Sequence, residues 1–236
     1  MRELLVSIVL CINMLRKDPF VTGEYYHIYN RGIDKRVIFK IKKDYERFLM
    51  LLYLANSNEA ISIDELTCRQ QKTFKEVLVL EKIESLVSIG AWCLMPNHFH
   101  LLVRQEEDGG ISKFMKKIGT GYSMFFNIKY DRKGALFGGP FKSKLVDDDN
   151  YMRHLFGYIN LNSLEIKFPN WENVIMINSL LGGMKEFLKL YQYSSYPDYL
   201  GENRIEKNII TPKAFPGYFE DNQTFSDFID DYLTEK

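Results

Sequence analysis

The chain reads as α+β: a ferredoxin-like βαββαβ antiparallel sheet, followed by one added helix and a helical appendage. Three observations predict this. Residues 86–95 and 98–104 are apolar runs separated only by Pro96-Asn97, the spacing of a tight antiparallel hairpin. Residues 45–54 and 111–130 flank that hairpin with apolar residues at helical spacing. Two shorter strand-like runs, 25–29 and 141–146, complete the order β-α-β-β-α-β.

In order along the chain, Tyr25-Tyr-His-Ile-Tyr29 is aromatic and β-branched and ends at the turn signal Asn30-Arg31-Gly32. Asp44 is placed to cap a helix whose apolar residues are Phe48, Leu49, Leu51, Leu52 and Leu54. Residues 55–85 read as a polar insertion with some helix around 71–82. After the hairpin, the second helix carries Phe114, Ile118, Met124, Phe125 and Ile128 as its apolar positions. Residues 134–140 are a glycine-rich break before the fourth strand. Asp147-Asp-Asp-Asn150 supplies N-cap chemistry for the added helix, which runs to about Asn162 with Met152, Leu155, Phe156 and Ile159 as its stripe.

Lys+Arg and Asp+Glu each total 31 in 236 residues, so the formal charge is zero, which at face value argues against a polyanion-binding protein. The composition is that of an ordinary globular protein with room for a real core. Cys11, Cys68 and Cys93 are too few and too scattered for a disulfide framework, so a reducing, cytoplasmic setting is expected. The apolar stretch 4–15 is too short to span a bilayer and lacks the basic start and cleavage site of a signal peptide. Met14-Leu-Arg-Lys17 reads as a natural start, which makes 1–13 an upstream extension. The expected organisation is 1–13 extension, 14–167 main domain and 168–236 helical, acidic appendage. No membrane association is expected.

His98-Phe-His100 is the sharpest chemical feature. Residues two apart on a strand share a face, so both imidazoles project together, a natural start for a divalent-metal site. Two solvated histidines on a half-exposed strand are the plain alternative. Tyr158 and Asn162 lie one turn apart on one face of the added helix. A tyrosine can act as a nucleophile when a cation favours its phenolate, and an amide oxygen can ligate a metal. A core tyrosine and a C-cap asparagine would fit the same spacing. His154 is positioned either to take the phenol proton or simply to face solvent. Tyr122, Tyr130 and Tyr151 lack an Asn or Gln four residues on.

In combination, these segments resemble a known family. Tyr26-His-Ile-Tyr-Asn-Arg-Gly32, Leu94-Met-Pro-Asn-His-Phe-His-Leu-Leu-Val103, Gly134-Ala-Leu-Phe-Gly-Gly-Pro-Phe-Lys142 and Tyr158-Ile-Asn-Leu-Asn162 occur in that order. They are similar to the landmarks of single-tyrosine HUH transposases, insertion-sequence-200-like, and particularly of the REP-associated tyrosine transposase branch. The likeness covers about residues 14–167. It implies that His98, His100 and Asn162 hold Mg²⁺ or Mn²⁺ and that the added helix is the catalytic one, with Tyr158 as nucleophile. It also implies strand transfer on single-stranded or hairpin DNA through a 5′-phosphotyrosine, by a monomer or homodimer. Pro140 stands where the glycine-rich turn usually reaches an arginine, and Asn160 and Ser163 replace the family's frequent His and Pro. These departures bear on target preference and rate, because the catalytic positions are intact.

Zero net charge conceals two basic segments. Residues 31–43 carry six basic residues against Asp34 alone, and 111–145 carry eight against Asp131 alone. Arg31, Lys35, Arg36, Lys113, Lys117, Arg132, Lys133, Lys142 and Lys144 are the candidate DNA contacts, with aromatics interleaved in the second segment. Residues 201–236 carry eight acids against four bases and are the chief acidic segment offsetting that charge. Two rival readings remain: a domesticated regulator that binds repeat hairpins without cutting, and a metal-dependent hydrolase that leaves free ends.

Overall fold

The computed structural model describes residues 19–59, 62–81, 85–173, 178–218 and 221–234. The reading of 1–13 as an extension, and of Met14 as the start, lies outside these residues. Strands β1 (Tyr25–Arg31), β2 (Val87–Met95), β3 (His98–Gln105) and β4 (Lys142–Val146) form one antiparallel sheet in the order β2-β3-β1-β4. Helices α1 (Lys42–Leu54) and α2 (Gly110–Lys129) connect β1 to β2 and β3 to β4, and α3 (Asp149–Leu161) follows β4. This is the predicted ferredoxin-like βαββαβ order with its added helix. Further on lie α4 (Asn178–Leu190) and α5 (Asn222–Thr234).

Strand parity sorts the two faces of the sheet. Tyr26, Ile28, Phe99, Leu101 and Val103 point into the core with α1 and α2, where Phe48, Phe114, Ile118 and Tyr122 are fully buried. The opposite side of the same strands meets α3, whose Met152, Leu155, Phe156 and Ile159 cover Ala91, Cys93, Met95 and Leu102. In β2 the register shifts between Ile89 and Ala91, so Ile89 and Trp92 share the first face while Ala91 and Cys93 take the second.

Several local readings change in the fold. Asp44 sits inside α1, and its carboxylate accepts from the N–H groups of Lys40 (2.8 Å) and Ile41 (3.1 Å). Lys129 and Tyr130 also bind that carboxylate, tying α1 to the end of α2. The buried stripe of α2 is Ile111, Phe114, Met115, Ile118, Tyr122 and Phe126, a true i, i+3/i+4 series. Met124 and Ile128 lie off it and are exposed. The helix expected around 71–82 is a single turn, Phe74–Val77, opened by a reciprocal Thr73–Glu76 capping box. Ile63, Leu66, Val77 and Leu78 from that stretch are buried in the main core, so it completes the core on the side of α1.

Residues 168–236 close the free side of the sheet. Tyr193 accepts from the Leu94 N–H and Ser195 donates its N–H to the Trp92 carbonyl, which occupies the exposed edge of β2. Phe225, Ile229 and Leu233 of α5 pack with Leu161, Leu164, Trp171, Met184 and Leu188. A Cβ on Gly157 would lie 2.5 Å from the Tyr232 ring, so only glycine lets α5 approach α3 this closely. Among the described residues, no helix is long and apolar enough to cross a membrane.

Candidate metal and nucleophile site

Cross-strand pairing builds the site row by row. On the face toward α3, one row runs Cys93, His100, Tyr29, Lys142 from β2 to β4. The next runs Ala91, Leu102, His27, Lys144, and the third Met95, His98, Arg31. Residues directly opposite one another share a face, so each row passes from apolar, under α3, to basic. The histidines of β3 and β1 fall where the two meet.

A pocket of about 680 Å³ opens there, and all four histidines of the chain line it: His27, His98, His100 and His154. The rings of His98 and His100 stand at 87° with centroids 5.1 Å apart. Tyr158 presents its ring edge-on to His100 at 5.3 Å and to His27 at 6.1 Å. Its helix is started by Asp148, whose carboxylate accepts from the N–H groups of Asn150 and Tyr151, as the acidic run predicts. Asn162 is the C-cap of that helix, close enough to His98 and Tyr158 to influence the titration of both. The structure thus brings His98, His100, Tyr158 and Asn162 together.

The electrostatics suit neutral imidazoles. Burial, then the Arg31 guanidinium, pushes His98 down to about 4, with Asn162 partly opposing. Burial and Lys144 push His27 down to about 4. His100 is held well below the ordinary range by burial, the neighbouring histidines and Arg31. A neutral imidazole keeps a lone pair for a metal. Burial raises the Tyr158 phenol, with Asn162 and Arg31 pulling the other way, so without added positive charge it stays protonated near neutrality.

The fit to a divalent ion rests on Asn162. Its Oδ1 is buried and has no hydrogen-bond partner, an acceptor in a place where such atoms are normally satisfied. Among the described residues no group of three His, Cys, Asp and Glu side chains is placed to hold a metal ion. Two imidazoles and this amide oxygen form the available donor set, and such a mixed set can take Mg²⁺ or Mn²⁺.

The basic candidates divide. Arg31, Lys35, Lys142 and Lys144 line the pocket, and Lys144 also stands 3.9 Å over the Tyr151 ring. Lys113 and Lys117 lie in a separate groove on the side of α1 and α2, where Lys113 pairs with Glu107 at 2.8 Å and Lys117 binds the carbonyls of Ser57 and Glu59. Arg132 is held by Asn127 and the Ala135 carbonyl, and Arg36 and Lys133 do not line the pocket. Tyr122 and Tyr130 are turned to the other face, bonded to Ile38 and Asp44. His154 reaches the pocket but pairs through Nδ1 with the Tyr232 hydroxyl at 3.1 Å.

Sequence reasoning missed His27. Its Nε2 lies 2.8 Å from His100 Nδ1 in a buried contact. The signal was the alternation His27, Tyr29 on the first strand, opposite in parity to Tyr26 and Ile28. Only the register against β3 shows that this face meets His100.

Residues 64–162 match the family described as transposase IS200 like, a span that contains His98, His100, Tyr158 and Asn162. The resemblance noted from the sequence motifs is borne out over that span. Among solved structures, the chain is similar to a REP-associated tyrosine transposase bound to a REP hairpin. That likeness has a TM-score of 0.47 and 12% identity, over 81% of this chain and 89% of that one. No curated protein sequence matches the chain.

Proposed function

We propose, from a chain whose residues 64–162 match the IS200-like transposase family, that it cuts and rejoins single-stranded DNA at hairpin or palindromic repeats. The observation that carries this reading is that two neutral imidazoles and a half-buried phenol line one pocket with a basic rim, while the buried, unpartnered Asn162 amide oxygen lies at the end of the helix that carries the phenol. Binding DNA alone requires no such set.

In this reading the rim residues Arg31, Lys35, Lys142 and Lys144 hold the phosphodiester backbone. Tyr158 Oη attacks the scissile phosphorus as the phenol gives up its proton. The bond from phosphorus to the 3′ oxygen breaks, and that oxygen takes up a proton and leaves as a 3′-hydroxyl. The 5′ side stays on Tyr158 as a phosphotyrosine, so the phosphoester is conserved for rejoining by the reverse attack. His98, His100 and Asn162 would hold Mg²⁺ or Mn²⁺, which when bound stabilises charge on the phosphoryl and leaving oxygens.

The test is a denaturing gel after incubation with labelled hairpin DNA and Mg²⁺ or Mn²⁺. A covalent protein–DNA adduct that disappears in Tyr158→Phe supports the proposal. An adduct that survives Tyr158→Phe removes the nucleophile assignment, cleavage without adduct favours a hydrolase, and binding without cleavage favours a regulator.

A further inference from the structure

We propose that Asn97 and His27 are positioning residues that fix the tautomers of His98 and His100, leaving both Nε2 lone pairs open to a divalent cation. The inference rests on the metal reading above, but its first half follows from hydrogen bonding alone. Asn97 Nδ2 donates to the Lys35 carbonyl at 3.1 Å. A carbonyl can only accept, so the amide nitrogen faces Lys35 and Oδ1 faces His98. That Oδ1 lies 2.6 Å from His98 Nδ1, and it too can only accept. The proton must therefore sit on His98 Nδ1, and the neutral ring keeps its lone pair at Nε2.

The amide is itself well held. The hairpin turn at Pro96-Asn97 is bonded to the loop after β1: the Gly32 N–H donates to the Asn97 carbonyl, and those of Ile38 and Phe39 to the Pro96 carbonyl. Gly32 is needed for this loop to fold back, since a Cβ there would lie 2.4 Å from the Arg36 carbonyl oxygen. Asp34 and Lys35 take left-handed backbone angles, with φ of 53° and 57°. That strained turn is what aims the Lys35 carbonyl at Asn97.

His100 has the equivalent arrangement through a different partner. One proton must lie between His100 Nδ1 and His27 Nε2, 2.8 Å apart. If His100 donates, its Nε2 is open, matching His98. If His27 donates, His100 Nε2 carries the proton and is closed to a cation. A cation on Nε2 selects the first arrangement, and His27 is the acceptor that makes it favourable. Histidines that bind metals nearly always donate their second N–H in this way. His27 is kept in place by Tyr29, with ring centroids 4.8 Å apart, and by the edge of Tyr158. It sits on β1, outside the matched residues 64–162 that carry His98 and His100.

Two-bond ¹H–¹⁵N correlation spectra of the metal-free, full-length protein read the tautomers directly. His98 is expected as Nδ1–H in the metal-free wild type, and His100 as Nδ1–H once Mg²⁺ is added. Asn97→Ala should return His98 to the Nε2–H form, and Asn97→Asp, which retains an acceptor, should restore Nδ1–H. Mn²⁺ titration followed by the EPR signal of the free ion should show about 10- to 100-fold weaker binding in Asn97→Ala and His27→Leu. His27→Gln, which keeps an acceptor, should recover most of it. An Nε2–H tautomer at His98 in the wild type, or wild-type Mn²⁺ affinity in folded Asn97→Ala and His27→Leu, overturns the proposal. Should His27→Leu fail to fold, the wild-type spectrum and the Asn97 pair still decide it. A wild type with His98 as Nδ1–H and no Mn²⁺ binding would support the Asn97–His98 assignment while removing the metal from the proposed function.

Discussion

The two faces of one sheet are built to opposite rules. Toward α1 and α2, strands β1 and β3 send Tyr26, Ile28, Phe99, Leu101 and Val103 into a dry core. Toward α3, the same strands send His27, Tyr29, Arg31, His98 and His100 to a pocket covered only on its β2 side. Neighbouring residues thus have unrelated duties: Phe99 is fully buried hydrocarbon between two imidazoles that point the other way. The first face contributes stability, and the second places polar groups in a half-apolar setting where they stay uncharged. A phosphoryl-transfer site needs that combination of low local dielectric at the reacting atoms and positive charge at the rim.

This division can be broken or sharpened experimentally, beginning with the largest effect. Tyr158→Phe should reduce adduct formation by at least about 10³-fold while shifting stability by less than about 0.5 kcal/mol. Adduct yield and urea denaturation measure the two, and a large loss of stability would mean that Tyr158 belongs to the core. Phe99→Ala, one residue from His98, should do the reverse and destabilise by about 3–5 kcal/mol, because it empties a filled site beside Phe48.

The pH dependence of folding probes the polar face. His27 and His98 are depressed to about 4 from an ordinary value of 6.5, so the unfolded chain binds their protons first as pH falls. Stability should be flat above about pH 6.5 and decline from there towards about 4. Thermal unfolding across that range should show a weaker slope in His27→Gln. A slope unchanged by that substitution would count against the buried, neutral state of His27.

The smallest effects distinguish the two basic surfaces. Removing both Lys142 and Lys144 should lower single-strand affinity and reduce the salt slope by about 1.4. Removing Lys113 and Lys116, which line the groove on the other face, should leave both unchanged. Equal losses from the two pairs would mean that DNA also follows the α1–α2 side.

Much of this was legible in the sequence because the signals were local. The Pro96-Asn97 turn predicts the β2–β3 hairpin, and the spacing of Met152, Leu155, Phe156 and Ile159 predicts the buried face of α3. Parity predicts that His98 and His100 share a side. The basic segment 111–145 was less legible, since a lysine run does not reveal its partners. Lys117 proves to be bonded to two loop carbonyls, while Lys142 and Lys144 face the pocket. Residues 55–85 were similarly opaque: their apolar side chains show no clear period, and Ile63, Leu66, Val77 and Leu78 become core only in the folded chain.

By itself the sequence determined the elements, their order, the pairing of His98 with His100 and the one-turn spacing of Tyr158 with Asn162. All of these depend on residues within a few positions of each other, where the strand and helix repeats set direction. Tertiary structure alone decided that His27 meets His100, that Asn97 is clasped by the loop after β1 and that Arg31 stands opposite His98. These contacts depend on strand register and loop closure across as many as 73 residues, as between His27 and His100, and a one-residue slip would turn each side chain to the other face.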